Sequence, residues 1–351
     1  MEVHGPVTAQ QQDQAKVTLR DVAERVGLSV SAVSQALLDG PRIGVDTKAR
    51  VREAAEELGY VTNSAGRALR ARRADAVALI VPNTSQHVFG HSYFMHVLTG
   101  VTDAANAHEA QLVISTNVDE QHGKAAYDRV MRSGSVDGAI VTSAAVDDEG
   151  ISQLVGSGVP VVLLGGFPVL PDAVSVGIDD VAASYAATEH LVRDHARRSL
   201  VHISGPLDHQ AAIDRRDGAL AAAAHYGAAL HVMEGDFDED SGAAAAVSIQ
   251  QRGDVDGVVA ANDEMAFGAM RGLTADGLDV PGQISIVGFD DFGLARVTTP
   301  AITTVRVPAE EMARLATDRL FDLIGGTRFT GPDAHAVLPT ELVKRQSCGC
   351  P

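Results

Sequence analysis

The sequence predicts an all-α head followed by a larger α/β body built from two doubly wound parallel subdomains. Three observations point there. The chain has 351 residues, more than one ordinary domain of roughly 100–200 residues. Its charge is segregated: residues 16–73 hold eleven basic against seven acidic side chains, whereas from residue 76 onward seventeen basic face thirty-six acidic. From Ala76 on, short runs that are apolar on both faces alternate with helical stretches, the pattern of parallel sheets covered on both sides.

A hydrophobic fraction of 45% and a charged fraction of 21% exclude a wholly disordered chain. No long apolar run occurs and the opening is polar and Gln-rich, so neither a membrane span nor a secretory signal is expected, and the expected location is cytoplasmic. A net charge of −18 argues against a nucleic-acid partner only until its distribution is considered, which suggests a basic module on an acidic body.

Residues 1–15 lack apolar periodicity and read as a disordered leader. Thr18 is placed to cap a first helix, with Asp21 in its first turn and Leu19, Val22, Ala23 and Val26 as its apolar stripe. Gly27 breaks that helix, and Ser29 caps a second in which Ala32, Val33, Ala36 and Leu37 face inward. Asp39-Gly40-Pro41 ends it, and a third helix begins near Asp46, carries Val51, Ala54, Ala55 and Leu58, and stops at Gly59. The strand-like runs lie at 76–82, 111–115, 136–142, 159–166, 173–178, 200–205, 255–261, 284–289 and 301–307. Nine or ten strands exceed one comfortable sheet, so two subdomains sharing a cleft are expected, with ligand at the carboxyl ends of the strands.

Residues 18–37, TLRDVAERVGLSVSAVSQAL, have the spacing of a helix-turn-helix, although helix–Gly–helix alone also fits an ordinary hairpin. The second helix favours the DNA-binding reading. Val30, Ser31, Ser34 and Gln35 give it a short, uncharged outer face able to reach base edges, with Arg20, Arg25 and Arg42 nearby for phosphates.

These residues resemble the head of the lac/galactose repressor family. The likeness runs on through TKARVREAAEELGYVTNSAGRALR, EHLV, AANDEMAFGAM, ISIVGFDD, ITTV and LVKRQS, about nine-tenths of the chain. The resemblance implies a homodimeric, effector-controlled transcriptional regulator, most simply a repressor. It would bind a pseudopalindromic operator through a helix-turn-helix domain at 16–62 and a hinge helix and linker at 63–74. An effector-binding and dimerisation core at 75–351 would resemble a periplasmic binding protein. Its N-subdomain is expected at about 75–173 plus 304–334, and its C-subdomain at about 174–303 plus 335–351. The absence of a heptad extension after LVKRQS suggests dimers rather than coiled-coil tetramers.

By the same resemblance, DNA contacts fall to Thr18, Arg20, Ser29, Val30, Ser31, Ala32, Ser34 and Gln35 in the head. Asn63, Gly66, Arg67, Leu69 and Arg70 follow in the hinge, where Leu69 would wedge into the central base step. Gln35 stands where arginine is frequent, Gly66 where alanine is usual and Thr62 where proline is common; glutamine favours adenine over guanine. A plain polar linker is the other reading of residues 63–70.

The implied effector residues are Arg215, Asn262 and Asp290, with Phe237 for stacking and Ile178 for an apolar contact. His91, Tyr93, Phe94 and Gly165 border the same cleft. Gly165 falls where sugar-responsive relatives often carry aspartate, which argues against a simple pyranose. His87 and His91 have an i,i+4 spacing open to metal, but without a third ligand they read as polar cleft residues, and no metal or cofactor is expected. Cys348 and Cys350 cannot staple distant segments, two ligands do not close a zinc site, and a frayed tail of reduced thiols is the expectation.

Two other classes fit parts of the chain. A solute-binding protein would use the core but needs an export signal and has no use for residues 16–73. An α/β enzyme needs a catalytic constellation, and the sequence carries no phosphate loop and no G-x-S-x-G nucleophile elbow.

Overall fold

A computed structural model describes residues 17–60, 73–118 and 124–351. The leader 1–15 and the hinge positions Asn63, Gly66, Arg67, Leu69 and Arg70 lie outside the described residues. The chain divides into two compact units, residues 1–73 and 74–351.

In the first unit, helices α1 (Leu19–Val26), α2 (Val30–Leu37) and α3 (Val45–Glu57) enclose a small core of Val22, Ala23, Val33, Ala36, Val51, Ala54 and Ala55. Gly27, at φ +72°, makes the left-handed turn between α1 and α2 that a side chain would strain. Thr18 and Asp21 together form the start of α1. The Thr18 hydroxyl donates to Asp21 Oδ2 at 2.8 Å, and the same oxygen accepts the Thr18 N–H at 2.6 Å. Ser29 caps α2 as expected, its Oγ accepting from the Ala32 N–H at 3.2 Å.

The second unit holds two six-stranded sheets. The first has the order β11-β5-β4-β3-β1-β2 and is parallel throughout. Its strands are β1 (Ala76–Thr84), β2 (Gln111–Asn117), β3 (Gly138–Thr142), β4 (Val161–Leu164), β5 (Val174–Ile178) and β11 (His335–Leu338). The second has the order β12-β10-β9-β8-β6-β7 and is parallel except for the edge pair β10–β12. It consists of β6 (Ser199–Ser204), β7 (Ala229–Glu234), β8 (Gly257–Ala260), β9 (Ser285–Asp290), β10 (Thr303–Arg306) and β12 (Glu341–Val343). In each sheet the order reverses next to the first strand, between β1 and β3 and between β6 and β8, which creates a crevice at the carboxyl ends.

Sheet membership corrects the expected subdomain boundaries. Residues 174–178 pair with β4 and so complete the first sheet rather than open the second. Thr304–Arg306 pair with β9 in the second sheet, and 335–338 pair with β5 in the first. The chain therefore crosses between lobes after Ile178, after Arg306 and between β11 and β12. The expected divisions each fell a few residues to one strand early because an apolar run shows that a strand exists but not which edge it pairs with.

Helices cover both faces of each sheet. Where Glu239–Arg252 meets Asp263–Ala275, glycines lie on both partners. A Cβ on Gly242 would come within 2.2 Å of Met265 O, and one on Gly268 within 2.0 Å of Glu239 O, so only glycine permits this close approach.

The cysteine expectation is also corrected. Residues 346–348 form a helical turn tied to the second sheet, and Cys348 is fully buried. The Ser347 Oγ donates to Ile286 O at 2.6 Å, and the Ser347 N–H donates to Ala301 O at 2.9 Å. Interior hydrogen bonds of this kind keep the segment from fraying.

Candidate functional site

The carboxyl ends of β3, β4, β8 and β9 face one another across a cavity of about 140 Å³ between the lobes. All nine expected effector residues line it: His91, Tyr93, Phe94, Gly165, Ile178, Arg215, Phe237, Asn262 and Asp290.

Arg215 is its centre. It sits on the helix Gln210–Tyr226, which runs back from β6, and is only 8% exposed. Its Nε donates to Asp180 Oδ1 at 2.8 Å and its Nη1 donates to Ala261 O at 2.7 Å; Nη1 also lies 3.5 Å from Asp290 Oδ1. The guanidinium packs 3.8 Å over the Phe289 ring. Burial works against its charge, but Asp180 and Asp290 outweigh burial and keep the arginine protonated. Burial pushes both carboxyls above the ordinary range, Asp290 strongly, with Arg215 opposing the rise.

Asp290 and Asp291 have different tasks. Asp290 ends β9 at φ +110°, a strained conformation for a non-glycine residue, and faces the cavity. Asp291 turns away and ion-pairs with Arg345 at 2.6 Å and Arg306 at 3.0 Å. Asn262 caps the helix Asp263–Ala275, its Oδ1 accepting from the Met265 N–H at 2.9 Å while its Nδ2 donates to Phe237 O at 2.6 Å. That second bond holds Phe237 at φ +58°, with its ring lying where any side chain at residue 205 would collide, within 2.1 Å.

On the first lobe the Tyr93 hydroxyl pairs with Thr142 Oγ1 at 3.1 Å. The rings of His87 and His91 are 4.3 Å apart, and burial together with His91 depresses the His87 pKa to about 4. No third metal-ligating side chain joins this pair among the described residues. Gly165 has φ +104° and open space beside it. Sequence reasoning missed Asp180 and Glu264, which also line the cavity; Ser92 Oγ donates to Glu264 across the lobes. Both stand at the first turn of a helix, where a carboxylate ordinarily reads as a dipole partner. The doublets Asp179-Asp180 after β5 and Asp263-Glu264 after β8 were the available signal.

Asp263 gives a pH prediction. Its Oδ2 accepts the Asp291 N–H at 2.8 Å, and burial raises its pKa to about 8 against the opposing hydrogen bonds of Thr304 and Asp291. The folded protein therefore keeps a proton that the unfolded chain releases near pH 4, so this group lowers stability as pH rises from about 4 to about 8. Asp263→Asn is expected to remove that slope and gain melting temperature over the wild type toward pH 8. Parallel melting profiles of the two proteins from pH 5 to pH 8 would exclude this carboxyl as the source.

In the head, the α2 face expected to meet DNA is mostly open. Ser29, Val30, Ser31 and Gln35 are exposed, as are Thr18 and Arg20, and Ala32 is half-buried. Ser34 corrects the expectation. It is 7% exposed and counts with Val33 and Ala36 among the buried residues of α2.

Known proteins match both parts. A model of bacterial regulatory proteins of the lacI family matches residues 18–63, and one of a periplasmic binding protein-like domain matches 188–348. The chain is 35% identical to the HTH-type transcriptional regulator CelR of Thermobifida fusca, over 94% of this chain and 98% of that one. It is 28% identical to the transcriptional repressor PurR of Proteus mirabilis, over 94% and 96%. Among solved structures it is similar to a CelR–cellobiose complex, at TM-score 0.72 and 32% identity, over 94% of this chain and 99% of that one. It is also similar to a lac repressor dimer bound to operator and the anti-inducer ONPF, at TM-score 0.84 and 25% identity, over 95% and 99%.

Proposed function

Since the chain belongs to the lacI family of bacterial regulatory proteins, we propose that it is a dimeric, operator-binding transcriptional repressor controlled by a neutral sugar held between the lobes of its core. The relatives are transcriptional regulators, and the role carries no catalytic step. No helix among the described residues is long and apolar enough to cross a membrane, which suits a cytoplasmic regulator.

One observation carries the effector class: a single buried cation, Arg215, shares the cavity with the carboxyls of Asp180, Asp290 and Glu264. That surplus of acid disfavours sugar phosphates and suits hydroxyl groups, which donate to carboxylates and accept from guanidinium. Phe94 and Phe237 supply apolar surface for the C–H faces of a pyranose ring. Gly165 brings no carboxylate to the cavity, and Asp180 and Glu264 supply two. The effector acts by binding open and closed lobe arrangements unequally, and that difference is the whole of its leverage on DNA affinity.

The test pairs two measurements on the full chain. Operators are selected from a randomised duplex library, and the thermal midpoint of the core is screened against cellobiose, other neutral saccharides, sugar phosphates and purines. A neutral saccharide that raises the midpoint and changes operator affinity is expected. A response confined to sugar phosphates or purines rejects the effector class, and absence of any selected operator rejects the regulator.

The hinge supplies a further prediction. Leu69→Ala is expected to weaken operator binding and reduce DNA bending, because an apolar wedge at the central step opens the contacts that a bend permits. Gly66→Ala is expected to tighten binding by up to roughly 1 kcal/mol per subunit through helix propensity. If Leu69→Ala leaves both affinity and bend unchanged, residues 63–70 act as a linker.

A further inference from the structure

We infer that His190, His195, Cys348 and Cys350 form a closed structural zinc site in the second lobe. The four side chains come from two segments about 150 residues apart in sequence, and their ligand atoms all lie within 4.8 Å of one another. His190 Nε2 is 3.4 Å from Cys348 Sγ and 3.6 Å from Cys350 Sγ, while His195 Nε2 is 3.5 Å from Cys350 Sγ and 3.2 Å from His190 Nε2. A tetrahedral zinc ion with bonds of ~2.0–2.1 Å to nitrogen and ~2.3 Å to sulfur separates nitrogen from sulfur by roughly 3.5 Å and nitrogen from nitrogen by roughly 3.3 Å. The four distances given have these separations, and the remaining two, His195 to Cys348 and sulfur to sulfur, lie within 4.8 Å, so a bound ion would draw the ligands in only slightly.

The surroundings support the same reading. His190 Nδ1 is 2.8 Å from Asp194 Oδ2, the geometry in which the ring donates to the carboxylate. With the proton there, Nε2 presents its lone pair to the centre of the cluster; a carboxylate behind a ligating histidine is the usual means of fixing that tautomer. The ring is set by a π-helical turn, His190–Asp194, which ends the helix Asp180–Glu189 and delivers His195 just beyond. On the other side, Gly349 has φ +103°, and a Cβ there would lie 3.3 Å from His195 Nδ1. Glycine thus lets the Cys-Gly-Cys turn fold its two sulfurs around one point. The Thr303 hydroxyl lies 3.0 Å from Cys348 Sγ and 2.9 Å from Arg345 O, within reach to donate to a thiolate.

Thiolate and imidazole together select zinc over magnesium or calcium, and two thiolates neutralise the ion, so the buried site carries no net charge. Binding releases the two thiol protons to solvent. All four ligands come from the protein, which leaves no open position for substrate and makes the role structural. The ion would pin residues 348–350 to the far end of the helix whose first turn contributes Asp180 to the cavity.

The test uses the full chain, purified under reducing conditions without a histidine tag. After dialysis against zinc, the wild type is expected to retain about one ion per chain. Cobalt substituted for zinc is expected to show thiolate charge-transfer and intense tetrahedral ligand-field absorption. Cys350→Ser and His195→Gln, at half-buried positions, are each expected to weaken zinc binding at least about tenfold. A chelator is expected to lower the melting temperature of the wild type, with a smaller effect on the variants. A wild type with reduced thiols that keeps no zinc and gives no thiolate–cobalt bands overturns the proposal. So does unchanged zinc affinity in both variants, or a Cys348–Cys350 disulfide that forms readily with zinc present. The wild-type cobalt spectrum decides the question even if a variant does not fold.

Discussion

Arg215→Ala is expected to abolish the effector response and to destabilise the core by about 3–5 kcal/mol at neutral pH, the range for removing one partner from a buried ion pair. The cost arises from what remains. Asp180 and Asp290 would stay buried with no cation, although burial already pushes both carboxyls upward in the wild type. Without Arg215 they rise further, so the folded state holds protons that the unfolded chain has released. The deficit therefore deepens as pH rises and shrinks toward acid. Melting curves of wild type and variant at several pH values check the sign. Operator titrations with and without the effector found in the screen check function. If the effector induces release, the variant keeps its operator affinity and ignores the ligand; if it acts as a co-repressor, operator binding itself weakens. An effector titration identical to the wild type would remove Arg215 from the site and undermine the cavity as the effector pocket.

Gln35→Arg is expected to shift base preference from adenine toward guanine at one position of each operator half-site, by roughly 1–3 kcal/mol. Gln35 is exposed on α2, where Val30 offers only apolar contact and Ser31 is short enough to bond to any base. Its amide matches the N6 donor and N7 acceptor of adenine, whereas guanine presents two acceptors and would leave the carbonyl oxygen facing one of them. A phosphate contact would behave differently, changing affinity evenly across all sequences. Selection from a randomised half-site library, wild type beside variant, separates the two. Identical base preferences would falsify the readout.

Much of this architecture was legible because its signals are local. Runs such as AVALIVP and ISIVGF are apolar on both faces and could only be interior strands, and they became β1 and β9. β7, β11 and β12 were missed for a physical reason: each is an edge strand with a half-exposed pattern, and the last two have four and three residues. The cavity was partly legible. Arg215, Asn262 and Asp290 match polar positions that the family resemblance implies, whereas Asp180 and Glu264 read as ordinary helix starts. Spacing places Ser34 on the outer face, whereas in the folded head it is buried. The Cys-Gly-Cys segment was illegible for a different reason, since no local pattern relates it to His190 and His195.

The order of the strands has a consequence for the gene as well as for the protein. Because the chain passes between the lobes three times, neither lobe corresponds to one uninterrupted coding segment. A stop codon at 335 would remove β11 from the edge of one sheet and β12 from the edge of the other in the same event. A frameshift near the 3′ end of the reading frame would thus damage both halves of the effector pocket's scaffold at once. A single proteolytic cut in one crossing, by contrast, would leave the lobes joined by the other two.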